Sequence, residues 1–197
     1  MINSSVEGVL LAAGLSSRAG SFKMEMELAG KPLLVWSLEA MAAVCARVIV
    51  VAGSEAERIR RLVQGRPEVE LVVNEDFASG MLTSIQAGIR QVCAPRFFLL
   101  PGDMPLVKAH VYRTLLAVKA EIVVPVCRGR RGHPVLLAGR LIPELLAEPA
   151  DSSLGRFIRR RGAETIEVDD PGIYTDLDDR NDIIKIDALL RARGINE

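Results

Sequence analysis

Excess charge of either sign is the first thing this 197-residue chain lacks: Lys plus Arg number 25, Asp plus Glu number 25, and the formal net charge is zero. A nucleic-acid binder normally shows a basic surplus on some face. The one basic cluster, Arg156 with Arg159, Arg160 and Arg161, is short and lies on a stretch of helical period, where a solvated helix face is the commoner explanation. No apolar run approaches the roughly 18 to 20 residues that a membrane helix requires. Neither nucleic acid nor a membrane is therefore expected as a partner. The N-terminus carries no basic residue ahead of its first apolar run, so a signal peptide is not expected either. Cysteine is scarce and odd in number. Cys45, Cys93 and Cys127 stand at unrelated spacings, which fits reduced thiols in the cytosol better than a disulfide frame or a zinc site. Pro/Ser-rich linkers, internal repeats and low-complexity stretches are also missing, so residues 1–197 read as one domain with its own core.

What is present is an alternation of short β-branched runs with longer stretches of helical period. Strands are predicted at 7–12, 47–52, 69–74, 96–101, 121–126, 134–138 and 163–168. Helices are predicted between them at about 33–44, 54–64, 80–92, 106–119, 139–147, 153–161 and 180–192. Val48 to Val51 and Phe97 to Leu100 are continuously apolar rather than alternating. Such runs belong to strands covered on both faces, hence to a mostly parallel sheet between two helix layers. The fold class expected is α/β, a single three-layer Rossmann-like domain.

The loop after the first predicted strand reads Leu11-Ala-Ala-Gly-Leu-Ser-Ser-Arg18-Ala-Gly-Ser-Phe-Lys23. Small residues there, with Gly14 and Gly20, let backbone N–H groups approach phosphate oxygens, while Arg18 and Lys23 add positive charge where a pyrophosphate leaving group forms. Gly and Ser would serve a plain turn equally well. The loop is neither of two familiar glycine fingerprints. G-x-x-x-x-G-K-[ST] needs Lys directly after the second glycine, and G-x-G-x-x-G needs glycine where Ser16 stands. Ligands of open α/β sheets collect beyond the carboxyl ends of strands. The loop follows the first predicted strand, Asn74 ends the third and Asp103 lies just past the fourth, so they converge on one crevice. Asp103, in Gly102-Asp103-Met104-Pro105, suits either a Mg²⁺ ligand, since that hard ion takes oxygen donors and few protein carboxylates, or a cap for the next helix. Asp176 and Asp178, two apart in an extended segment, share a face; capping of the last helix is their alternative.

These motifs together resemble the molybdenum cofactor nucleotidyltransferases of the MobA-like NTP transferases, from about Val6 to Ile184. The loop is similar to L-A-A-G-x-S-x-R-M-G-x-x-K except that Ala19 replaces methionine. Gly30-Lys31-Pro32-Leu33-Leu34 resembles G-K-P-L-L, and Asn74 with Gly80-Met81-Leu82-Thr83-Ser84 resembles N-x-x-x-x-x-G-M-x-x-S. Gly102-Asp103-Met104-Pro105, Gly129 to Pro134 and Asp176-Leu177-Asp178 complete six ordered matches. The resemblance implies an enzyme that transfers CMP from CTP to molybdopterin carrying molybdenum, with Mg²⁺ as cofactor. Arg18, Lys23 and Asp103 are then the catalytic residues. Leu11, Ala12, Ala13, Gly14, Lys23, Asn74, Gly80, Ser84 and Asp103 bind nucleotide, and Asp103 with Asp176 or Asp178 holds the metal. A molybdenum hydroxylase would be the partner receiving the product.

Relatives carrying guanosine usually show L-A-G-G, so Ala13 points to cytidine, by a steric difference worth about 1 to 3 kcal/mol. His133 is expected to shape the acceptor pocket or its loop, because transfer to an ionised phosphate removes no proton. Arg130, Arg131 and Arg156 are the cations available to an anionic pterin acceptor. The chain departs from the pattern after Lys23, where two leucines and a proline give way to Glu25-Met26-Glu27. Carboxylates pointing inward there would repel a triphosphate. Two alternatives therefore stay open: a transferase using GTP or a sugar phosphate, and a non-catalytic nucleotide-binding maturation partner of a molybdenum hydroxylase.

Overall fold

The continuously apolar runs form the centre of a sheet covered on both faces. The computed structural model describes residues 6–14, 22–149 and 151–177, with 182, 184, 186 and 187. The chain begins with β1 (Val6–Ala12), then a short hairpin of β2 (Glu27–Leu28) and β3 (Lys31–Pro32), and α1 (Leu33–Ala42). Next come β4 (Val48–Ala52), α2 (Ala56–Val63), β5 (Val69–Val73), α3 (Met81–Ile89), β6 (Arg96–Pro101) and α4 (Ala109–Leu116). The remainder runs through β7 (Ile122–Cys127), β8 (Arg130–Arg131), β9 (Val135–Ala138), α5 (Ile142–Leu146), α6 (Leu154–Arg161) and β10 (Glu164–Glu167).

The sheet order is β10-β7-β9-β6-β1-β4-β5, with β8 added to β7. Parallel pairing joins β1 to β4 and β6, β4 to β5, and β7 to β10. Strand β9 runs against both its neighbours, β6 and β7. That reversal brings the amino end of β9, with Gly132 and His133, to the edge where β1, β6 and β7 end. A parallel strand would have put it at the opposite edge.

Successive side chains of a strand point to opposite faces, and β1 divides accordingly. Val6 and Leu10 pack with Leu34, Leu38 and Met41 of α1 and with Tyr112 and Leu115 of α4. Val9 and Leu11 pack with Leu82, Ile85 and Ile89 of α3 and with Phe157 of α6. These side chains are essentially removed from water, each worth about 1.5 to 3 kcal/mol for a Leu, Ile or Phe. Helix α3 lies especially close to the sheet because it presents Gly88. A Cβ there would stand 2.6 Å from Val9 Cγ1 and 2.7 Å from Val51 Cγ2.

The seven predicted strands all appear within one or two residues of their expected bounds. Helices are shorter at their ends, and the stretch 139–147 divides into a 3-10 turn at Gly139–Leu141 and then α5. The helix expected at 180–192 lies outside the described residues apart from 182, 184, 186 and 187, which are helical. Strands β2, β3 and β8 were not anticipated, since two residues carry no period. No helix among the described residues is long and apolar enough to cross a membrane.

Candidate functional site

Parallel pairing puts the carboxyl ends of β1, β4, β5 and β6 at one edge of the sheet, and backbone hydrogen bonds stitch the loops there together. The Gly102 N–H donates to the Leu11 carbonyl (2.8 Å), and the buried Ser37 hydroxyl of α1 donates to the Gly102 carbonyl (3.0 Å). Asp103 is thereby fixed beside the end of β1. Its Oδ2 accepts from Lys23 Nζ at 2.9 Å, with the two side chains only 24% and 13% exposed. The Leu177 N–H donates to the Asp103 carbonyl (3.2 Å), which draws the exposed Asp176 to the same place.

A cavity of about 310 Å³ opens at this edge, with Leu11, Ala13, Gly14, Gly80, Ser84 and Asp103 in its wall. Gly80 has φ +118° and ψ 171°, a conformation that a side chain disfavours, immediately before α3 starts. Asn74 and Ala12 stand behind the wall rather than in it. Ala12 is 2% exposed inside the core. Asn74 is buried, and its Nδ2 donates to Thr83 Oγ1 and Ser84 Oγ, both at 3.0 Å, while its Oδ1 accepts from the Asp76 N–H (3.1 Å). It organises the turn that carries Gly80 and Ser84. Arg18 and Asp178 lie outside the described residues.

Glu25 and Glu27 turn away from this cavity. Glu25 forms a two-pronged pair with Arg58 of α2, which holds its carboxyl below the usual range. Glu27 is exposed on β2. The donor set at Asp103 suits a hard divalent ion, with one carboxylate in the cavity wall, a second at Asp176 nearby, and room for phosphate and water oxygens. No group of three or more His, Cys, Asp or Glu that could hold a metal occurs among the described residues.

A second cavity, of about 500 Å³, adjoins the first across Met81, which lines both. Its floor is apolar, with Leu82, Ile85, Val124, Val135 and Ile158, and its polar positions include Arg131, His133, Ser153 and Arg159. Of the three arginines named from sequence, Arg131 lines this cavity. Arg130 lies over the Tyr174 ring (4.5 Å), and Arg156 donates to the Asp151 carbonyl (3.2 Å). Arg159 went unrecognised, although its i, i+4 spacing from Gly155 puts both on one face of α6. Arg160 and Arg161 pair with Glu148, Glu121 and Glu144, as a solvated basic face would. Burial pushes the His133 imidazole below its ordinary range, against a hydrogen bond to the Leu99 backbone and the charges of Asp103 and Asp176. Its Nδ1 is buried without a protein partner among the described residues.

The family model described as the MobA-like NTP transferase domain matches residues 8–166. The molybdenum cofactor cytidylyltransferase of Escherichia coli is 26% identical over 182 residues, 92% of this chain and 95% of that protein. A probable molybdenum cofactor guanylyltransferase of Bacillus anthracis is 31% identical over 136 residues, 66% of either chain. Rv0371c of Mycobacterium tuberculosis superposes at TM-score 0.82 and 25% identity, over 94% of this chain and 98% of that one. The same protein in complex with manganese superposes at TM-score 0.75 and 22% identity, over 93% and 98%. With the glycine-bearing loop, the Asp103 turn and α3 all inside the matched span, the chain belongs to the MobA-like NTP transferase domain family and is a nucleotidyltransferase of that type.

Proposed function

We propose that the chain transfers CMP from CTP to the terminal phosphate of molybdopterin carrying molybdenum, with release of pyrophosphate. The observation that carries this reading is the pair of adjoining cavities. A small one is walled by Gly14 and Asp103, and a larger, mainly apolar one has Arg131 and Arg159 in its lining. A flat heteroaromatic acceptor with an anionic end fits the second cavity better than a sugar phosphate, whose hydroxyls would need many hydrogen-bonding partners.

In the reaction an acceptor phosphate oxygen forms a bond to the α-phosphorus of CTP, and the α–β bridging bond breaks. Lys23, held in the cleft beside Asp103, offsets charge passing to the leaving pyrophosphate, and Arg18 is assigned the same task. Leu11, Ala13 and Gly14 meet the nucleotide through backbone and small side chains, and Gly80 and Ser84 close the opposite wall. Mg²⁺, held by Asp103 with Asp176 or Asp178, would supply charge neutralisation of the triphosphate. The attacking phosphate is already ionised and has no proton to give up, so His133, whose imidazole burial holds below its ordinary range, shapes the acceptor cavity and removes no proton. Catalysis then rests on positioning and electrostatics.

Cytidine is supported by Ala13 in the cavity wall and by the cytidylyltransferase likeness over 92% of the chain. The guanylyltransferase likeness keeps GTP as the second reading. Handover to a molybdenum hydroxylase would follow. The test is pyrophosphate release from CTP and from GTP, with Mg²⁺ and freshly prepared molybdenum-loaded molybdopterin. Release that needs both CTP and acceptor supports the proposal, release with GTP alone moves the chain to the guanylyl branch, and silence with both refutes transfer to this acceptor.

A further inference from the structure

Lys23 sits in a short 3-10 turn, Lys23–Glu25, closed by the Glu25 N–H to the Phe22 carbonyl and the Met26 N–H to the Lys23 carbonyl, both at 3.1 Å. The residues on either side of it, Phe22 and Met24, are 4% and 5% exposed and belong to the core under α1 and α4. One more group holds the turn from outside. The Arg58 guanidinium of α2 donates from Nε to Glu25 Oε1 (3.0 Å) and from Nη2 to Glu25 Oε2, and it lies over the Phe22 ring at 4.8 Å. A single planar cation thus grips the turn at both ends, with Lys23 between them. Neither Arg58 nor Glu25 lines either cavity.

We infer that Arg58 is a positioning residue: through Glu25 and Phe22 it fixes the end of the glycine-bearing loop, and with it the aim of Lys23 at the triphosphate. The inference rests on the reading of the smaller cavity as a nucleotide site. Half-exposed ion pairs contribute little to global stability, so stability alone does not account for a two-pronged pair stacked on a buried ring. A fork of parallel N–H donors does restrict geometry as a lysine cannot. Misplacing a reacting or charge-stabilising group by about 1 Å can lower a rate on the order of 10²-fold. The pair also answers the charge problem posed by Glu25, whose carboxylate is neutralised on the α2 side.

The test compares wild type, R58K, R58M, E25Q and the double variant R58M/E25Q for Mg·CTP binding by calorimetry, for pyrophosphate release and for thermal midpoint. R58M and E25Q should each lower kcat/KM about tenfold, part of it in kcat at saturating CTP, with little change in midpoint. R58K should recover part of the loss, and the double variant should be no worse than R58M, because both changes open one clamp. Full turnover in R58M, tighter CTP binding in E25Q, or losses that multiply in the double variant would each overturn the inference. A wild type that binds no nucleotide would overturn the reading of the cavity and the inference with it. A wild type that binds beside an R58M that binds and turns over equally would overturn the inference alone.

Discussion

Asn74→Leu separates a scaffold role from a ligand-binding one. The side chain is 6% exposed and makes three hydrogen bonds, to Thr83 Oγ1, Ser84 Oγ and the Asp76 N–H. Leucine has similar volume and can make none of them. At about 1 kcal/mol net per bond the direct loss is ~3 kcal/mol. Thr83 keeps its own bonds to the Asp76 and Gly80 carbonyls, both at 2.9 Å, whereas Ser84, 4% exposed, is left without its amide partner. For a chain of this size each kcal/mol moves the thermal midpoint by about 2 to 4 °C, so Asn74→Leu should melt roughly 6 to 12 °C early. Ser84→Ala removes one bond and should cost about 1 kcal/mol. Because Ser84 and Asn74 share that bond, the double variant should cost clearly less than the sum of the two. Calorimetry on the four proteins, with CTP titrations below the transition, reads both effects. A midpoint within about 2 °C of wild type would refute the scaffold argument, and weakened CTP binding at unchanged stability would mean that Asn74 meets the ligand itself.

Lys23→Met should lower turnover on the order of 10²-fold or more, as removal of other preorganised charge stabilisers does; single-turnover pyrophosphate release checks it, and near-normal rates would sink the assignment of Lys23. The His133 imidazole is held below its ordinary value of 6.5 by burial. As pH falls below that value the unfolded chain takes up a proton that the folded chain refuses, so stability declines from there down to the folded value. Urea unfolding at about pH 7.5 and 5.5 should show this decline in wild type and a flatter profile in His133→Gln. Burial drives the Cys45 thiol up to about 12, Cys127 is buried, and Cys93 is exposed. A thiol-reactive dye at neutral pH should therefore label one cysteine rapidly in native protein and three after denaturation. Gly88→Val should destabilise by about 1 to 3 kcal/mol from overpacking, measured by urea unfolding, because α3 has no room for a side chain against Val9 and Val51.

The strands were legible because their signal is local. Val48 to Val51 and Phe97 to Leu100 can be buried on both faces only inside a covered sheet, and that is where they lie. The direction of β9 was not legible, because parallel and antiparallel strands of four residues carry the same pattern; pairing with β6 and β7 decides it. At the site, Gly14, Gly80, Ser84 and Asp103 were singled out from motifs, and they line one cavity. Asn74 was singled out for the ligand, yet its hydrogen bonds are spent on the turn. Arg159 was lost in a cluster of four arginines, Arg156 and Arg159 to Arg161, that differ only in which way α6 turns them. The partner of Glu25 was invisible for a different reason: Arg58 is 33 residues away in sequence and reaches it only through the packing of α2.

The reversed strand β9 gives the chain a seam. Before it, β1 to β6 form a continuous stretch that carries Gly14, Gly80 and Asp103; after α4, β7 to β10 and α6 carry Arg131, His133 and Arg159. Among the described residues, only α3, through Met81, Leu82 and Ile85, reaches from the first stretch into the second cavity. Recombination within α4 would therefore exchange the larger cavity's polar residues together with Asp176 while leaving Gly14, Gly80, Ser84 and Asp103 in place, and the joints needing repair would be the β6–β9 ladder, the α3 wall and the Leu177 N–H to Asp103 carbonyl bond. A lineage built this way changes what it modifies and keeps what it modifies it with, provided the incoming half returns a carboxylate at the place of Asp176.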